Sequence, residues 1–353
     1  MAGTRLSVSD LEEVLLNSRH VFERLNGARL FVTGGTGFWG RWMIESLAYA
    51  VERLGLDIRM LLLARNRESF LADNTAQSRP AWLSILEGDV RSFKFPELDI
   101  TDVIHLATPA SARLNRAQPE LMFDTIKTGT RRVLDFSVQA GASRFLLASS
   151  GAVYGRQPPD MSHLTEDFQD YSGNGPSVSA YAQGKRLAEE LCGEYASTHD
   201  IAVKIARGFA FVGPYLPLNA HYAIGNFIRD GLRGGPIRIR GDGTPVRSYM
   251  YASDLVTWLW KILLDGRSQI PYNVGSEQAI ELGLLAGQVA GAFREVPEVE
   301  IAVASEKDIA AERYVPSTRR ARTELGLKIR VPLHEAISRT VTFNRQNSTD
   351  GPY

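Results

Sequence analysis

The sequence is poor in the residues that staple, anchor or ligate. A single cysteine, Cys192, rules out an intramolecular disulfide framework. Six histidines are scattered without an H-x-H, H-E-x-x-H or His/Cys cluster, so a metal site has no support. No run of five or six like charges occurs, and 40 basic residues balance 40 acidic ones, which argues against nucleic acid as a partner. No stretch approaches 18 uninterrupted apolar residues, and Asp10, Glu12 and Glu13 stand where a secretory signal needs a basic start and an apolar run. These absences predict a cytoplasmic protein with no membrane partner. Cys192, in a helix-like segment after Lys185, reads as a buried structural thiol.

What is present is ample core material: 353 residues, 44% hydrophobic, enough for one large domain or two intimate ones. Over roughly the first 210 residues, strand-like and helix-like segments alternate, as βαβ units on a parallel sheet do. The strand-like runs are 29–34, 58–64, 102–107, 144–150 and 201–213. Apolar spacing in 41–55 and 119–141 is helical. Residues 9–25 read as an added amphipathic helix, with Ser9 and Glu12 as a capping box and Leu11, Val14, Leu15, Phe22 and Leu25 on one face. Beyond about residue 214 the alternation loosens into loops.

The stretch "RLFVTGGTGFWGRW" (29–42) sets an apolar run against Gly34, Gly37 and Gly40. A strand ending at Thr33, a tight turn and a helix starting near Trp39 would aim N-terminal amides at a pyrophosphate. Gly34 would permit the turn, Gly37 the close backbone approach and Gly40 the contact of helix on strand. In "SAYAQGK", Tyr181 and Lys185 lie four apart and share one helical face. A phenol with pKa near 10 must fall by about three units to act as a general base at pH 7, and a neighbouring ammonium pushes it that way. "ASSGAVYG" places Ser149 and Ser150 at the C-terminal end of a strand, the edge where open parallel sheets bind ligands.

Together these stretches resemble an extended short-chain dehydrogenase/reductase of the NAD-dependent epimerase/dehydratase family, over about residues 28–342. "TGGTGFWG" is similar to its glycine turn, with Phe38 and Trp39 beside the cofactor. "GDV" resembles its adenine-contacting segment, with Asp89 and Val90. "HLATPAS" resembles the strand lining the cofactor, with Leu106, Ala107 and Thr108. "SSGAVYG" places the family's catalytic Ser or Thr at Ser150, and "YAQGK" matches its Tyr-x-x-x-Lys pair. "ARGFAFVGP" and "GDGTPVRSYMYASDL" resemble later motifs, and "PYNVGS" continues the match.

The resemblance implies an α/β fold: a Rossmann-type doubly wound parallel sheet with helices on both faces, plus a smaller C-terminal α/β substrate-binding region. The expected division is a helical extension at 1–27, a mainly NAD(P)-binding part at 28–214 and a mainly substrate-binding part at 215–353. Implied substrate contacts are Ser150, Ala210, Asn226 and Arg247, the last on the diphosphate of a nucleotide-diphosphate sugar. Tyr181 takes a proton from a sugar hydroxyl as hydride passes to nicotinamide, Lys185 supports both, and Ser150 positions the hydroxyl. The family also implies a homodimer through the Tyr181 helix and the helix at 119–141.

The expected function is a nucleotide-sugar 4-epimerase, with an NADPH-dependent 4-keto nucleotide-sugar reductase as the alternative. Dehydratase and decarboxylase readings rank lower, because Ser150 is followed by Gly151 and Ala152 where such relatives carry acidic residues. A non-catalytic binding protein ranks lowest. Family positions usually held by Asn or Asp are Thr125 or Ile126, Ala210, Ser248 and Ser317. After the second strand stand Arg65, Asn66 and Arg67 in place of a ribose-binding carboxylate, which favours NADP over NAD. Against that choice, 33 of the 40 basic residues are arginine, so arginines at a strand end carry little weight alone.

Overall fold

The computed structural model of the protein describes residues 6–68, 80–108, 112–168, 179–304 and 311–347. The motif positions Pro109, Ala110 and Ser111 lie outside the described residues. The chain forms two compact units. The first takes Met1–Val153, Asn174–Gly208 and Val256–Tyr272; the second takes Tyr154–Gly173, Phe209–Leu255 and Asn273–Tyr353.

In the first unit the strands are β1 (Arg29–Thr33), β2 (Arg59–Ala64), β3 (Leu83–Glu87), β4 (Asp102–His105), β5 (Arg144–Ser150) and β6 (Ala202–Gly208). They lie in the order β3-β2-β1-β4-β5-β6, with Pro271–Val274 as a seventh strand at the β6 edge. Every pairing from β3 to β6 is parallel. All four residues of β4, and Leu30–Thr33 of β1, are buried. Burial on both faces explains why these strands read as unbroken apolar runs rather than alternating ones. The order reverses at β1, so the sheet has its switch point between β1 and β4, where such sheets open a ligand crevice.

The helices of this unit are α1 (Val8–Arg24), α2 (Phe38–Leu54), α3 (Ala112–Ala117), α4 (Pro119–Gln139) and α5 (Ala180–Thr198). Helices α4 and α5 cross closely because Gly184 presents no side chain: a Cβ there would stand 2.9 Å from Ile126. Beneath them lies a core that includes Phe31, Phe93, Val133, Phe136, Phe145 and Cys192. Phe136 meets Phe31 edge-on at 4.7 Å between centroids, the geometry aromatic quadrupoles favour.

Helix α1 buries Leu11, Val14, Leu15 and Phe22, as its spacing requires. Its cap differs from expectation. Ser7 is the cap, its hydroxyl accepting the Asp10 N–H at 3.1 Å, while Ser9 sits inside the first turn. Glu12 does not reach back to the cap, because the Tyr49 hydroxyl of α2 donates to it at 2.5 Å.

The second unit is assembled from short pieces. Strand Val246–Arg247 lies between Ile280–Glu281, antiparallel, and Arg313–Tyr314, parallel. The run 201–213 is not one strand: β6 stops at Gly208, and Phe211–Val212 pairs with Met250–Tyr251 in this unit. Asn273, fully buried, is the unit's hub. It accepts the Tyr154 hydroxyl at 2.6 Å, donates its backbone N–H to Glu166 at 3.0 Å, and donates its amide to the carbonyls of Leu164 and Ser317 at 2.9 and 3.0 Å. Its polar groups are thus satisfied, as burial demands.

Candidate functional site

The glycine turn follows β1 directly. Gly34 has φ +74°, and a Cβ on it would lie 2.6 Å from the backbone of Leu106 and Ala107. Gly40 packs onto the turn so tightly that a Cβ would stand 2.4 Å from the Gly34 carbonyl oxygen and from the Gly35 Cα. Gly37 caps α2 without a side chain, and a Cβ there would meet only the Gly34 oxygen, at 3.4 Å. Gly37 is exposed and Phe38 and Trp39 are half-buried. The first-turn amides of a 17-residue helix therefore stand at the surface beside an unfilled glycine face. That arrangement suits an anion such as a pyrophosphate. Gly35, which sequence spacing left without a role, admits Leu62: a Cβ would stand 2.3 Å from its Cδ1.

The neighbouring strand ends complete this edge. Leu106 and Ala107 are tied to β1 by N–H bonds to the Thr33 carbonyl (3.1 Å) and hydroxyl (3.2 Å). Arg65, Asn66 and Arg67 follow β2 and are exposed. Asp89 accepts the Arg91 backbone N–H and guanidinium, both at 2.9 Å. Arg91 holds its carboxyl below the usual carboxylate range, and Arg65 adds to the effect, so the two segments are electrostatic neighbours. Val90 packs against Gly129 of α4, where a Cβ would come within 2.9 Å.

Ser150 ends β5, Tyr181 and Lys185 lie on α5, and all three fall in the first unit. Ser150 is buried, and its hydroxyl accepts the Ala152 N–H at 3.2 Å. Tyr181 opens α5, its backbone N–H donating to Asn115 of α3 at 3.0 Å. Lys185 Nζ lies 6.0 Å from the Tyr181 ring centre. Lys185 is only 2% exposed and donates to the Ala148 carbonyl and, at 2.7 Å, to the Thr108 hydroxyl. Burial pushes its pKa down to about 8, against the raising effect of Glu189. His105, between the Thr33 and Thr130 hydroxyls at 2.7 and 3.2 Å, is held to a pKa of about 3, chiefly by burial and then by the Lys185 charge. It is therefore neutral across the working range.

Ser149 has a different fate from Ser150. Its hydroxyl donates to Glu189, whose carboxylate also takes the Arg207 guanidinium, with the closest approach 2.6 Å. Sequence reasoning missed Thr33, His105, Arg91, Glu189 and Arg207. The one local signal was Glu189 itself, four residues after Lys185.

The remaining predicted residues belong to the second unit. The Ala210 carbonyl accepts the Met250 N–H at 3.1 Å. Asn226 is half-buried and accepts from Arg229 at 2.8 Å. Arg247 is engaged by Glu312 at 2.7 Å and also donates to the Val246 and Glu312 carbonyls. Beside it, the Ser248 hydroxyl is buried with no hydrogen-bond partner among the described residues. Among the described residues no group of three His, Cys, Asp or Glu is placed to hold a metal, and no helix is long and apolar enough to cross a membrane.

Comparison with known proteins supplies the remaining observations. The model of the NAD dependent epimerase/dehydratase family matches residues 30–275. The chain is similar to UDP-glucuronic acid decarboxylase 6 of Arabidopsis thaliana, 30% identical over 317 residues, covering 88% of this chain and 86% of that one. It is also similar to UDP-glucuronic acid decarboxylase 1 of Xenopus tropicalis, 29% identical over 328 residues, covering 90% and 72%. Among solved structures, DesIV of Streptomyces venezuelae, a dTDP-glucose 4,6-dehydratase with NAD bound, superposes with a TM-score of 0.76 at 26% identity, covering 91% of this chain and 98% of that one.

These relatives correct the expected function. The two decarboxylases are named for loss of CO2 and DesIV for dehydration, neither for 4-epimerisation or keto-sugar reduction, and the low rank given to decarboxylation was misplaced. The physical reason lies in what the motifs encode. The stretches holding Ser150, Tyr181 and Lys185 are shared across the family and do not separate its reactions. The low rank rested on Gly151 and Ala152 standing where such relatives carry acidic residues, one local departure that the likeness over 317 residues outweighs.

Proposed function

The chain belongs to the NAD dependent epimerase/dehydratase family, and within it we propose a decarboxylase of a nucleotide-linked hexuronic acid that uses a nicotinamide dinucleotide. The relatives named as decarboxylases carry the reading, although this chain lacks the acidic residue that such relatives place after the catalytic Ser or Thr. An oxidation centre of Tyr181 and Lys185 stands in a chain where Ser150 is followed by Gly151 and Ala152, neither able to move a proton. Elimination of water needs a base and an acid in that region. Decarboxylation asks less of that region: once C4 of a hexuronic acid is a ketone, the C6 carboxylate is β to it and leaves as CO2, its electrons passing to the C4 oxygen, and C5 of the resulting enolate then takes a proton from water. The relatives named UDP-glucuronic acid decarboxylases support this choice.

In this mechanism Tyr181 takes the C4 hydroxyl proton, then, as a phenol, donates a hydrogen bond to the enolate oxygen left by CO2 loss, and, once C5 has taken a proton from water, returns its proton to the C4 oxygen as the ketone is reduced. The Lys185 ammonium favours the phenolate beforehand. Ser150 orients the hydroxyl. The nicotinamide supplies the hydride acceptor and, afterwards, the hydride donor. Gly34, Gly37, Phe38, Trp39, Gly40, Asp89, Val90, Leu106, Ala107, Thr108, Tyr181 and Lys185 would hold the dinucleotide. Arg247 would meet the substrate diphosphate, displacing Glu312.

Of the two dinucleotides, exposed Arg65 and Arg67 argue for NADP; comparing the affinities of the two oxidised forms tests the choice. We also propose a homodimer through α4 and α5, to be read by light scattering. The main test is incubation with UDP-glucuronic acid labelled with 13C at C6, plus oxidised dinucleotide. Release of labelled carbonate together with a nucleotide-linked pentose is expected. Conversion of a nucleotide sugar with every carbon retained would sink the proposal.

A further inference from the structure

We propose that Glu189 is a positioning residue for this reaction: it ties the end of the catalytic strand to the catalytic helix and supplies the countercharge to Lys185. The proposal rests on the reading above, in which Tyr181 and Lys185 carry out the oxidation.

The geometry is as follows. Glu189 lies four residues beyond Lys185 on α5, one helical turn on. Its side chain is only 12% exposed. One carboxylate oxygen accepts the Ser149 hydroxyl and Arg207 Nε at 3.0 Å, and the other accepts Arg207 Nη2 at 2.6 Å. Ser149 and Arg207 are direct partners in the β5–β6 register, so their side chains share one face of the sheet. A single carboxylate therefore bridges two adjacent strands to the helix that bears Tyr181 and Lys185. Ser149 is the residue before Ser150, so the bridge fixes the backbone from which the Ser150 hydroxyl projects.

The charges around Lys185 single out the same residue. On its own helix stand Tyr181, Glu189 and Cys192; His105 faces it from β4, and Arg207, paired with Glu189, comes from β6. His105 is neutral, and burial pushes the Cys192 thiol up, so it too is neutral. Glu189 is thus the formal anion in the group. A purely structural role, neutralising Arg207, would leave Lys185 indifferent to its loss.

Three variants and one control separate these cases, assayed with UDP-glucuronic acid and oxidised dinucleotide. Glu189→Gln should lower kcat roughly tenfold to a hundredfold with little change in KM. It should also move the alkaline limb of the kcat profile down by about one pH unit, because Lys185 loses its proton earlier without the carboxylate. Glu189→Asp should restore the limb. Ser149→Ala should lower kcat and leave the limb in place. If Glu189→Gln fails to fold, the double variant Glu189→Leu/Arg207→Met, which strands no buried charge, replaces it.

Tyr181→Phe, which should be inactive yet bind dinucleotide, is the control: activity there would overturn the reaction scheme. With that control inactive, a wild-type kcat and pH profile in Glu189→Gln would overturn only the role of Glu189. Lysine-labelled protein followed by NMR gives a readout free of turnover. The Lys185 titration midpoint should fall in Glu189→Gln, and an unchanged midpoint overturns the inference whatever the substrate.

Discussion

Two corners of the same sheet are built on opposite principles. At the end of β1, main chain packs on main chain: Gly34 against Leu106 and Ala107, Gly40 against Gly34 and Gly35. At the end of β5, Ser149, Arg207 and Glu189 hold one another, and Lys185 of the same helix as Glu189 donates to the Ala148 carbonyl beside Ser149. The first corner is defined by the absence of atoms and should be indifferent to pH. The second is defined by charge in a dry setting, and its stability should follow protonation.

The largest expected effect breaks the first corner. Helix propensity alone predicts that Gly40→Ala stabilises α2 by about 1 kcal/mol. The new Cβ, however, would stand 2.4 Å from backbone atoms that cannot rotate away. We expect the clash to reverse the sign and cost about 3 kcal/mol or more, read by thermal unfolding, with dinucleotide binding lost. A variant as stable as the wild type would show that this turn is looser than the packing indicates.

The second corner answers to pH. Lys185 has a pKa of about 8 when folded, below its ordinary 10.5. Below pH 8 both states hold the proton, and burying the ammonium costs the native state roughly 3 kcal/mol. Between 8 and 10.5 the unfolded chain binds more protons, so wild-type stability gains as pH rises through that window. Lys185→Met removes this dependence. Denaturant unfolding at pH 7 to 10 should therefore show the stability difference moving by roughly 3 kcal/mol in favour of the wild type, with the variant inactive throughout. A flat difference would mean that Lys185 is not buried as a cation.

The same contrast explains what could be read from the sequence. Strands β1, β2, β4 and β5 announced themselves because burial on both faces forces apolar runs, and the glycine turn did so because only glycine fits at positions 34 and 40. Tyr181 and Lys185 share a helical turn, so spacing exposed them. Glu189 reaches Ser149 across 40 residues and Arg207 across 18, and Arg247 meets Glu312 across 65; no local pattern encodes such pairings. The run 201–213 read as one strand because its apolar character continues through the break at Phe209 and Ala210. Decarboxylation was ranked low because Gly151 and Ala152 stand where such relatives carry acidic residues, a short local signal that the likeness along most of the chain overrides.

The smallest expected effect sharpens the first corner most. Gly37 has φ −80°, open to any residue, and a Cβ there would meet only one oxygen at 3.4 Å. Gly37→Ala should therefore cost about 1 kcal/mol at most, the difference between glycine and alanine at a helix N-cap. If a pyrophosphate approaches the backbone at this point, the added methyl occupies its space, and dinucleotide affinity should fall several-fold while the unfolding midpoint barely moves. Gly40 is glycine because of the protein, and Gly37 would be glycine because of the ligand. Unchanged affinity in Gly37→Ala, measured by titration of the oxidised dinucleotide, would place the pyrophosphate elsewhere on the turn.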